Sequence, residues 1–160
     1  MFPAPIARAP RTTRIAYRGA LFTSLAIWLL PLFGVALTSV RSIDDLNRDS
    51  PLKPLFFELD QSDVSTAGQQ VLQANAAVLK KYPTMQITIE GHCDERGTAE
   101  YNLALGERRA LSAKNYMVSL GIPADKIKTV SYGKEFPFDP GHDEGAWKNN
   151  RRAHFVITAK

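Results

Sequence analysis

A short loop near the middle of the sequence holds the residues best suited to chemistry. Residues 92–97 read His-Cys-Asp-Glu-Arg-Gly and so contain two acids and an arginine. Asp94 precedes a predicted helix start whose first backbone N–H groups have no partner within the helix, and Arg109 lies on that helix. A carboxylate, a guanidinium and free amides suit a small zwitterion, because they pair with its ammonium and its carboxylate. The alternative is a structural salt bridge between Asp94 and Arg109 that holds the loop to the helix.

A strand before the loop and a helix after it are expected to position these groups. Residues 85–90 alternate between apolar and polar side chains, which is the period of a half-buried strand. Thr98 can cap the following helix, and Glu100 suits the positive end of its dipole. We expect this helix to span about residues 99–120, with Gly121 after its end. Its predicted buried stripe is Leu103, Ala110, Ala113, Met117 and Leu120.

Other reactive groups in the sequence do not form a recognisable catalytic or metal-binding set. Cys93 is the only cysteine, and it and His92 point to opposite faces if the segment is extended, which argues against a nucleophile pair. The consecutive His-Asp-Glu at residues 142–144 cannot all converge on one metal ion. A hydrolase using Glu90 or Glu95 would need a second carboxylate across a cleft, and no identifiable spacing supplies one. We therefore predict a protein that is not an enzyme and that needs no cofactor or metal.

The excess positive charge of the chain is confined to its N-terminal part. The formal net charge is +4 at pH 7, from 20 basic and 16 acidic residues. Residues 1–40 contain four of the arginines and no acid, so the remainder has 16 basic and 16 acidic residues. A formally neutral domain offers no surplus of positive charge to phosphate groups, so we expect no nucleic-acid partner.

The first forty residues read as a targeting segment. Residues 1–18 are rich in proline and arginine and are predicted to be disordered. Residues 19–40 contain no charged residue, and an apolar run after a basic lead is typical of an export signal or a membrane anchor. The run is long enough to span a membrane, but Pro31 divides it, and Gly-Val-Ala at residues 34–36 offers a cleavage site. Both interpretations deliver the rest of the chain across a membrane, after a predicted linker at residues 41–54.

The remaining residues, 55–160, alternate strand and helix patterns. Strands are expected at about residues 55–59, 85–90, 127–132 and 153–158, helices at about 65–81 and 99–120, and one helical turn near 143–147. The order strand–helix–strand–helix–strand–strand predicts a single α+β domain with its helices packed on one face of a sheet.

Several motifs in a fixed order carry a resemblance to a known family. They are Gly-His-Cys-Asp-Glu-Arg-Gly-Thr at 91–98, Tyr-Asn-Leu at 101–103, Leu-Gly-Glu-Arg-Arg-Ala at 105–110, Val-Ser-Tyr-Gly-Lys-Glu at 130–135, Gly-His-Asp-Glu at 141–144 and Asn-Arg-Arg-Ala at 150–153. Over roughly residues 52–160 the chain resembles the OmpA-like peptidoglycan-binding domain, and most of all its peptidoglycan-associated lipoprotein (Pal) branch. This resemblance implies an α+β fold with a mixed four-stranded sheet.

The resemblance also implies a ligand, the meso-diaminopimelate of the peptidoglycan stem peptide, which is bound without reaction. Asp94 corresponds to the carboxylate that receives the free ammonium, and Arg109 to the guanidinium that binds the neighbouring carboxylate. Leu59 and Asp60 correspond to positions whose backbone amides approach that carboxylate. Four further positions correspond to the surroundings of the pocket: Arg96, Thr98, Asn102 and Leu105.

The resemblance further implies a place in the periplasm or cell envelope of a Gram-negative bacterium, associated with the outer membrane. It implies contact with the Tol proteins, notably the propeller protein TolB. The sequence departs from the lipoprotein pattern, because no cysteine that could carry a lipid precedes Cys93. Either the apolar run is the anchor, or the mature domain is soluble, or the true start of the chain differs. The alternative functions are a membrane-anchored protein-interaction module and, less favoured, a peptidoglycan hydrolase.

Overall fold

The structure, a computed structural model, describes residues 42–160. The predicted disordered segment at 1–18 and the apolar segment at 19–40 lie outside the described residues, so both remain predictions. Within the described part of the chain, every helix is too short or too polar to cross a membrane.

Four helices and four strands follow one another in the described part. They are α1 (Ile43–Arg48), β1 (Leu55–Phe56), α2 (Thr66–Lys81), β2 (Gln86–His92), α3 (Ala99–Ser119), β3 (Ile127–Gly133), α4 (Glu144–Asn150) and β4 (Arg152–Ala159), with a 3-10 turn at Ala124–Lys126. The two long helices begin where the sequence predicted. The side chains of Ser65 and Thr98 accept hydrogen bonds from the amides of Gly68 and Tyr101, as N-caps do.

The four strands form one mixed sheet in the order β1-β4-β2-β3. β2 runs parallel to β3 and antiparallel to β4, and β4 runs antiparallel to β1. The parallel pair β2 and β3 is connected through α3, because parallel neighbours require a crossover. The predicted α+β fold with a mixed four-stranded sheet is confirmed, and the loop that follows the central strand β2 leads directly into α3.

Alternate residues of the central strands form the core beneath the helices. Ile87 and Ile89 of β2 and Phe155 and Ile157 of β4 are almost completely buried. The helices contribute Leu72, Ala76, Leu79, Ala110, Ala113 and Met117 to the same cluster. The prediction that Leu103 is buried is wrong, since its side chain is 52% exposed. In the first turns of α3 the buried residues are instead Asn102, Leu105 and Gly106, which lie on the same helix face as Arg109 and Ala113.

Helix α3 packs against β2 through their backbones. A methyl group added at Gly91 would lie 1.8 Å from the carbonyl oxygen of Gly106. A methyl group added at Gly106 would lie 2.3 Å from the Oγ of Ser131 and 2.8 Å from the Gly91 carbonyl oxygen. Only glycine fits at either position, so this contact fixes the distance between the loop after β2 and the helix that carries Arg109.

The predicted linker at 41–54 contains structure that the sequence analysis did not anticipate. α1 lies within it, and Ser42 caps α1 by accepting a hydrogen bond from the Asp45 amide at 3.1 Å. The Asn47 side chain donates to the Ile157 carbonyl at 3.0 Å and accepts from the Ile157 amide at 2.8 Å. Among residues 42–160, β1 pairs only with Arg152 and Ala153 of β4, so the backbone of Ile157 has no neighbouring strand on that side. The Asn47 side chain makes the hydrogen bonds that such a strand would make. The linker prediction is therefore wrong for this part, since α1 is fixed to the sheet.

Three further element bounds differ from the predictions. β1 ends at Phe56 rather than at residue 59, because the chain turns away and Asp60 adopts a positive φ of 60°. α4 continues to Asn150, whereas the sequence predicted a single turn. β4 begins at Arg152, one residue before the predicted strand. Of these differences, the turn after β1 matters most for the site, because its residues line the cavity described below.

Candidate functional site

A cavity of about 410 Å³ opens where β2 ends and α3 begins. Its lining consists of Leu59, Asp60, Cys93, Asp94, Arg96, Gly97, Tyr101, Asn102, Leu105 and Arg109. Seven of the eight residues that the resemblance assigned to a ligand lie in this lining. Thr98 does not, because its hydroxyl accepts the Tyr101 amide at 3.2 Å as the cap of α3.

Arg109 is fully buried and ties three segments of the chain together. Its Nε donates to the Gln61 carbonyl at 2.8 Å, its Nη1 to the His92 carbonyl at 2.9 Å, and its Nη2 to the Glu58 carbonyl at 3.1 Å. Nη1 also lies 3.4 Å from the Cys93 sulfur. Burial lowers the pKa of the Arg109 guanidinium, but an arginine remains a cation at any physiological pH. A guanidinium has five N–H donors, so the contacts made by the described residues leave one on Nη2 for a ligand.

The turn after β1 presents backbone amides beside this guanidinium. Arg109 binds the carbonyls of Glu58 and Gln61, and the Gln61 amide donates back to the Glu58 carbonyl at 3.2 Å. The amides of the two residues between them, Leu59 and Asp60, donate to no backbone carbonyl within residues 42–160. The Tyr101 hydroxyl donates to the Asp60 carboxylate and so holds the turn against α3. Two free amides next to a cation are suited to bind an anion.

Asp94 lies deep in the same cavity, with 4% of its surface exposed. Arg96 donates to it from Nη2 at 2.6 Å, from Nε at 3.3 Å and from its backbone amide at 3.2 Å. Nη1 of Arg151 donates to it at 3.2 Å. Burial alone would raise the pKa of Asp94, but the hydrogen bonds from Arg96 and Arg151 outweigh it and hold the pKa below its usual value. Asp94 is therefore an anion at neutral pH.

The structure rejects the simplest alternative for the two charged residues. Asp94 forms its ion pairs with Arg96 and Arg151, and no ion pair joins it to Arg109 among the described residues. The carboxylate and the guanidinium instead lie on the same cavity, each held by other groups. The salt bridge between them that the sequence left open is therefore wrong.

The sequence analysis missed the role of Arg151 in this site. Arg151 is 3% exposed, and its Nε donates to the Phe57 carbonyl at 3.2 Å while its Nη2 donates to the Glu144 carboxylate at 2.8 Å. It thus joins the segment after β1, helix α4 and Asp94. The Asn-Arg-Arg-Ala motif at 150–153 contains this residue, but a linear sequence does not show that it pairs with Asp94 and Glu144.

Cys93 fills the base of the cavity. Its thiol donates to the Asn102 carbonyl at 3.3 Å, and the side chain is 2% exposed. Burial raises the pKa of the Cys93 thiol, against the opposing effect of the nearby Arg109. The buried Cys93 side chain therefore fills space beside the loop.

Comparison with known proteins establishes the family. The sequence profile of the OmpA family matches residues 56–151, which is more than half of the chain. The chain belongs to the OmpA family. This family consists of non-catalytic domains, in agreement with the prediction that the protein is not an enzyme.

This OmpA-family chain is similar to peptidoglycan-associated lipoproteins. It is 48% identical to that of Agrobacterium fabrum over 103 residues, which are 64% of this chain and 58% of the relative. It is 48% identical to that of Haemophilus influenzae over 99 residues, which are 62% of this chain and 65% of the relative. The chain thus spans about three fifths of the length of these relatives.

Solved structures agree with the fold. The crystal structure of the peptidoglycan-associated lipoprotein from Burkholderia pseudomallei has a TM-score of 0.66 and 43% identity, covering 71% of this chain and 98% of that one. The C-terminal domain of Helicobacter pylori MotB has a TM-score of 0.63 at 18% identity, covering 68% of this chain and 85% of that one. The second likeness concerns the fold alone.

Proposed function

We propose that this OmpA-family protein binds peptidoglycan in the bacterial cell envelope, through the meso-diaminopimelate of the stem peptide. The observation that carries the proposal is the shared cavity. Asp94 and Arg109, fifteen positions apart in the sequence, line one opening together with the free amides of Leu59 and Asp60. The names of the relatives, which are peptidoglycan-associated, support the choice of ligand.

The chemistry of the cavity favours diaminopimelate over lysine. The two differ by one carboxylate at the end of the side chain, so only a site that pairs an anion with a cation distinguishes them. In our proposal Asp94 receives the ammonium, and the carboxylate beside it takes the remaining Nη2 donor of Arg109 and the two amides. Hydrogen bonds to charged groups contribute about 1.5–3 kcal/mol each, so a few of them give micromolar affinity at best. Repeated stem peptides in the wall would then increase retention by avidity.

Ligand entry requires one arginine to move. The four lone-pair sites of the Asp94 carboxylate are occupied by N–H groups of Arg96 and Arg151, so an ammonium must displace one of them. Arg96 is the donor that can leave, because its side chain is 35% exposed while that of Arg151 is 3% exposed. Its guanidinium already lies 4.2 Å from the Trp147 ring centre and 3.7 Å from the Glu144 carboxylate, which offer it another position.

The proposal includes a location and a protein partner. We place the domain in the periplasm of a Gram-negative bacterium, in association with the outer membrane. Contact with the Tol system, notably TolB, is proposed for the rim of the same cavity, where Leu59 is 55% and Tyr101 is 45% exposed. Large exposed apolar side chains beside a binding pocket are typical of a surface that meets a protein. A partner bound there and a stem peptide would compete.

A comparison of cell-wall chemistries tests the proposed ligand. The full-length protein should sediment with sacculi that contain diaminopimelate and much less with sacculi that contain lysine at the same position. Asp94→Asn should reduce sedimentation at least about tenfold, because the neutral amide loses one charge-assisted hydrogen bond. Asp125→Asn, on the exposed 3-10 turn, is the matched control and should bind as the unmodified protein does.

Three results would count against this proposal. Equal binding to both wall types, or to neither, would favour the membrane-anchored protein-interaction module. Unchanged sedimentation of Asp94→Asn, with a thermal melt that shows the variant folded, would remove this cavity as the site. Release of soluble wall fragments by the purified protein would favour a hydrolase.

A further inference from the structure

A second cavity, of about 380 Å³, lies on the sheet face opposite the helices. Its lining consists of Glu90, His92, Tyr132, Phe136, Pro137 and Phe138. His92 connects it to the first cavity, since its carbonyl accepts the Arg109 hydrogen bond while its ring lies among the aromatic side chains. The proposed diaminopimelate site uses none of these side chains.

The base of this cavity presents two hydrogen-bond acceptors with no donor between them. The Nδ1 of His92 lies 3.2 Å from the Phe136 carbonyl, and because a carbonyl only accepts, that nitrogen carries the proton. In the neutral ring this leaves Nε2 as an acceptor, and Nε2 is buried with no hydrogen-bond partner in the described part of the chain. The Glu90 carboxylate lies 3.7 Å from Nε2, and its side chain is only 19% exposed. Two facing acceptors at this distance are stabilised by a positively charged donor placed between them.

The walls of the cavity are suited to the same kind of group. The His92 ring centre lies 5.5 Å from that of Tyr132 and 4.8 Å from that of Phe138, and Tyr132 lies 5.2 Å from Phe136. Aromatic faces attract ammonium and guanidinium groups. Glu90, in the lining of the same cavity, adds a negative charge that attracts such a cation.

The rim indicates that the cation belongs to a protein. Phe136 is 63% and Phe138 is 43% exposed, and Phe56, which is 45% exposed, continues this surface across the Arg152 side chain. Protein interfaces combine such apolar rims with a central anchor residue that fills a pocket, often an arginine. Arg152 adds positive charge at the edge of the cavity, so we expect binding of a single side chain to be weak.

We propose that this second cavity, lined by Glu90, His92, Tyr132 and Phe138, binds a lysine or arginine side chain presented by a protein partner. The negative charge of Glu90 calls for a cation, and the two facing acceptors on Glu90 and His92 call for a hydrogen-bond donor. A lysine or arginine side chain supplies both. The site is separate from the first cavity, so one domain can hold the cell wall and a protein at the same time.

The test is a titration of the full-length, isotope-labelled protein with single amino-acid probes, followed by NMR. Nα-acetyl-lysine amide or Nα-acetyl-arginine amide should shift the His92 imidazole and Phe138 signals saturably, in the millimolar range. Nα-acetyl-norleucine amide, which is of similar length but neutral, should not. Glu90→Gln should weaken cation binding by about tenfold, whereas Glu107→Gln, an exposed acid on α3, should leave it unchanged.

Each contrary result has a definite meaning. Equal binding of the norleucine probe would show an apolar pocket without selectivity for charge and would overturn the proposal. A signal showing that His92 is doubly protonated at neutral pH would also overturn it, because the imidazolium would satisfy Glu90 itself. Glu90→Gln should retain binding to sacculi, and loss of that binding in a folded variant would assign the cavity to the cell wall instead.

Discussion

At the scale of single residues, the site depends on two ionised side chains that are held by different means. Asp94 is bound by the side chains of two arginines, one of them partly exposed. Arg109 is bound by backbone carbonyls from the turn after β1 and from β2. We therefore expect Asp94 to be exchangeable without loss of the fold, whereas Arg109 is part of the framework.

The ionisation of Asp94 predicts an acid-sensitive contribution to stability. Its folded-state pKa is held below the unfolded value of about 3.9, so the stabilisation is fully present above that value. The contribution is lost as the pH falls from about 4 through the folded-state pKa. Denaturant unfolding measured from pH 6 to pH 2.5 should show this decrease, and Asp94→Asn should flatten it. If the free energy of unfolding fell with pH as steeply in the variant as in the unmodified protein, the contacts of Asp94 with Arg96 and Arg151 would not stabilise the fold.

Replacement of Arg109 is expected to affect both stability and binding. In Arg109→Lys the charge remains, but a lysine cannot reach three carbonyls in fixed directions as a guanidinium does. Each buried carbonyl left without a donor costs about 1–3 kcal/mol, so we expect a loss of several kcal/mol in the free energy of unfolding. Urea denaturation measures this. Arg108→Lys, at the exposed neighbouring position, is the control and should change stability by less than about 0.5 kcal/mol.

Much of the candidate site could be predicted from the sequence, but the hydrogen bonds between Arg109 and the turn after β1 could not. Asp94 and Arg109 belong to linked motifs with a fixed spacing, and both lie where those motifs suggested. The hydrogen bonds of Arg109 to Glu58 and Gln61 depend on how the turn after β1 approaches α3. That approach is set by tertiary packing, for which residues 57–61 carry no periodic signal.

At the scale of elements, the backbone contact between β2 and α3 determines the width of the cavity. Gly106→Ala would place a methyl group within 2.3 Å of the Ser131 Oγ and 2.8 Å of the Gly91 carbonyl, so the helix must move outward. We expect a loss of about 1–3 kcal/mol in stability, as for other overpacked contacts, and weaker binding to sacculi because Arg109 moves with the helix.

Thermal or chemical unfolding together with sedimentation measures both effects of Gly106→Ala. Glu107→Ala, one position along and exposed, also places an alanine in the helix but makes no new contact, and should be neutral or slightly stabilising. Normal stability of Gly106→Ala would show that the helix adjusts to the methyl group without cost.

The elements themselves were predictable where a period or a cap identified them. The alternation of residues 85–90 predicted β2, and the Thr98 cap predicted the start of α3. The sequence failed at α1, since six residues are too few to show a helical period. Its position is fixed by the pairing of Asn47 with Ile157, 110 positions away.

At the scale of the whole molecule, the sheet separates two cavities of different chemistry. One side holds paired charges beside the start of α3, and the other holds aromatic rings around Glu90. The strand β2 supplies Glu90 and His92 to the second cavity, and the loop that follows it supplies Cys93 and Asp94 to the first. On our two proposals, a stem peptide in the first cavity and a cationic side chain in the second would not block each other.

The fate of the N-terminal segment is a prediction about the whole chain. If residues 34–36 form a cleavage site, the native protein should begin shortly after residue 36 and lack the apolar run. Intact-mass spectrometry of protein isolated from its own envelope would show this directly. A mass that includes residues 19–40 would identify the run as a retained anchor, and an added acyl mass would reveal a lipid.

The burial of Cys93 has a consequence for the proposed location of the protein outside the cytoplasm. A sulfur that is 2% exposed and whose raised pKa disfavours the thiolate is a poor nucleophile toward oxidants and other disulfides. An unpaired cysteine can therefore pass through an oxidising compartment without cross-linking two copies of the chain. The packing that shapes the floor of the cavity thus also keeps the protein free of covalent dimers.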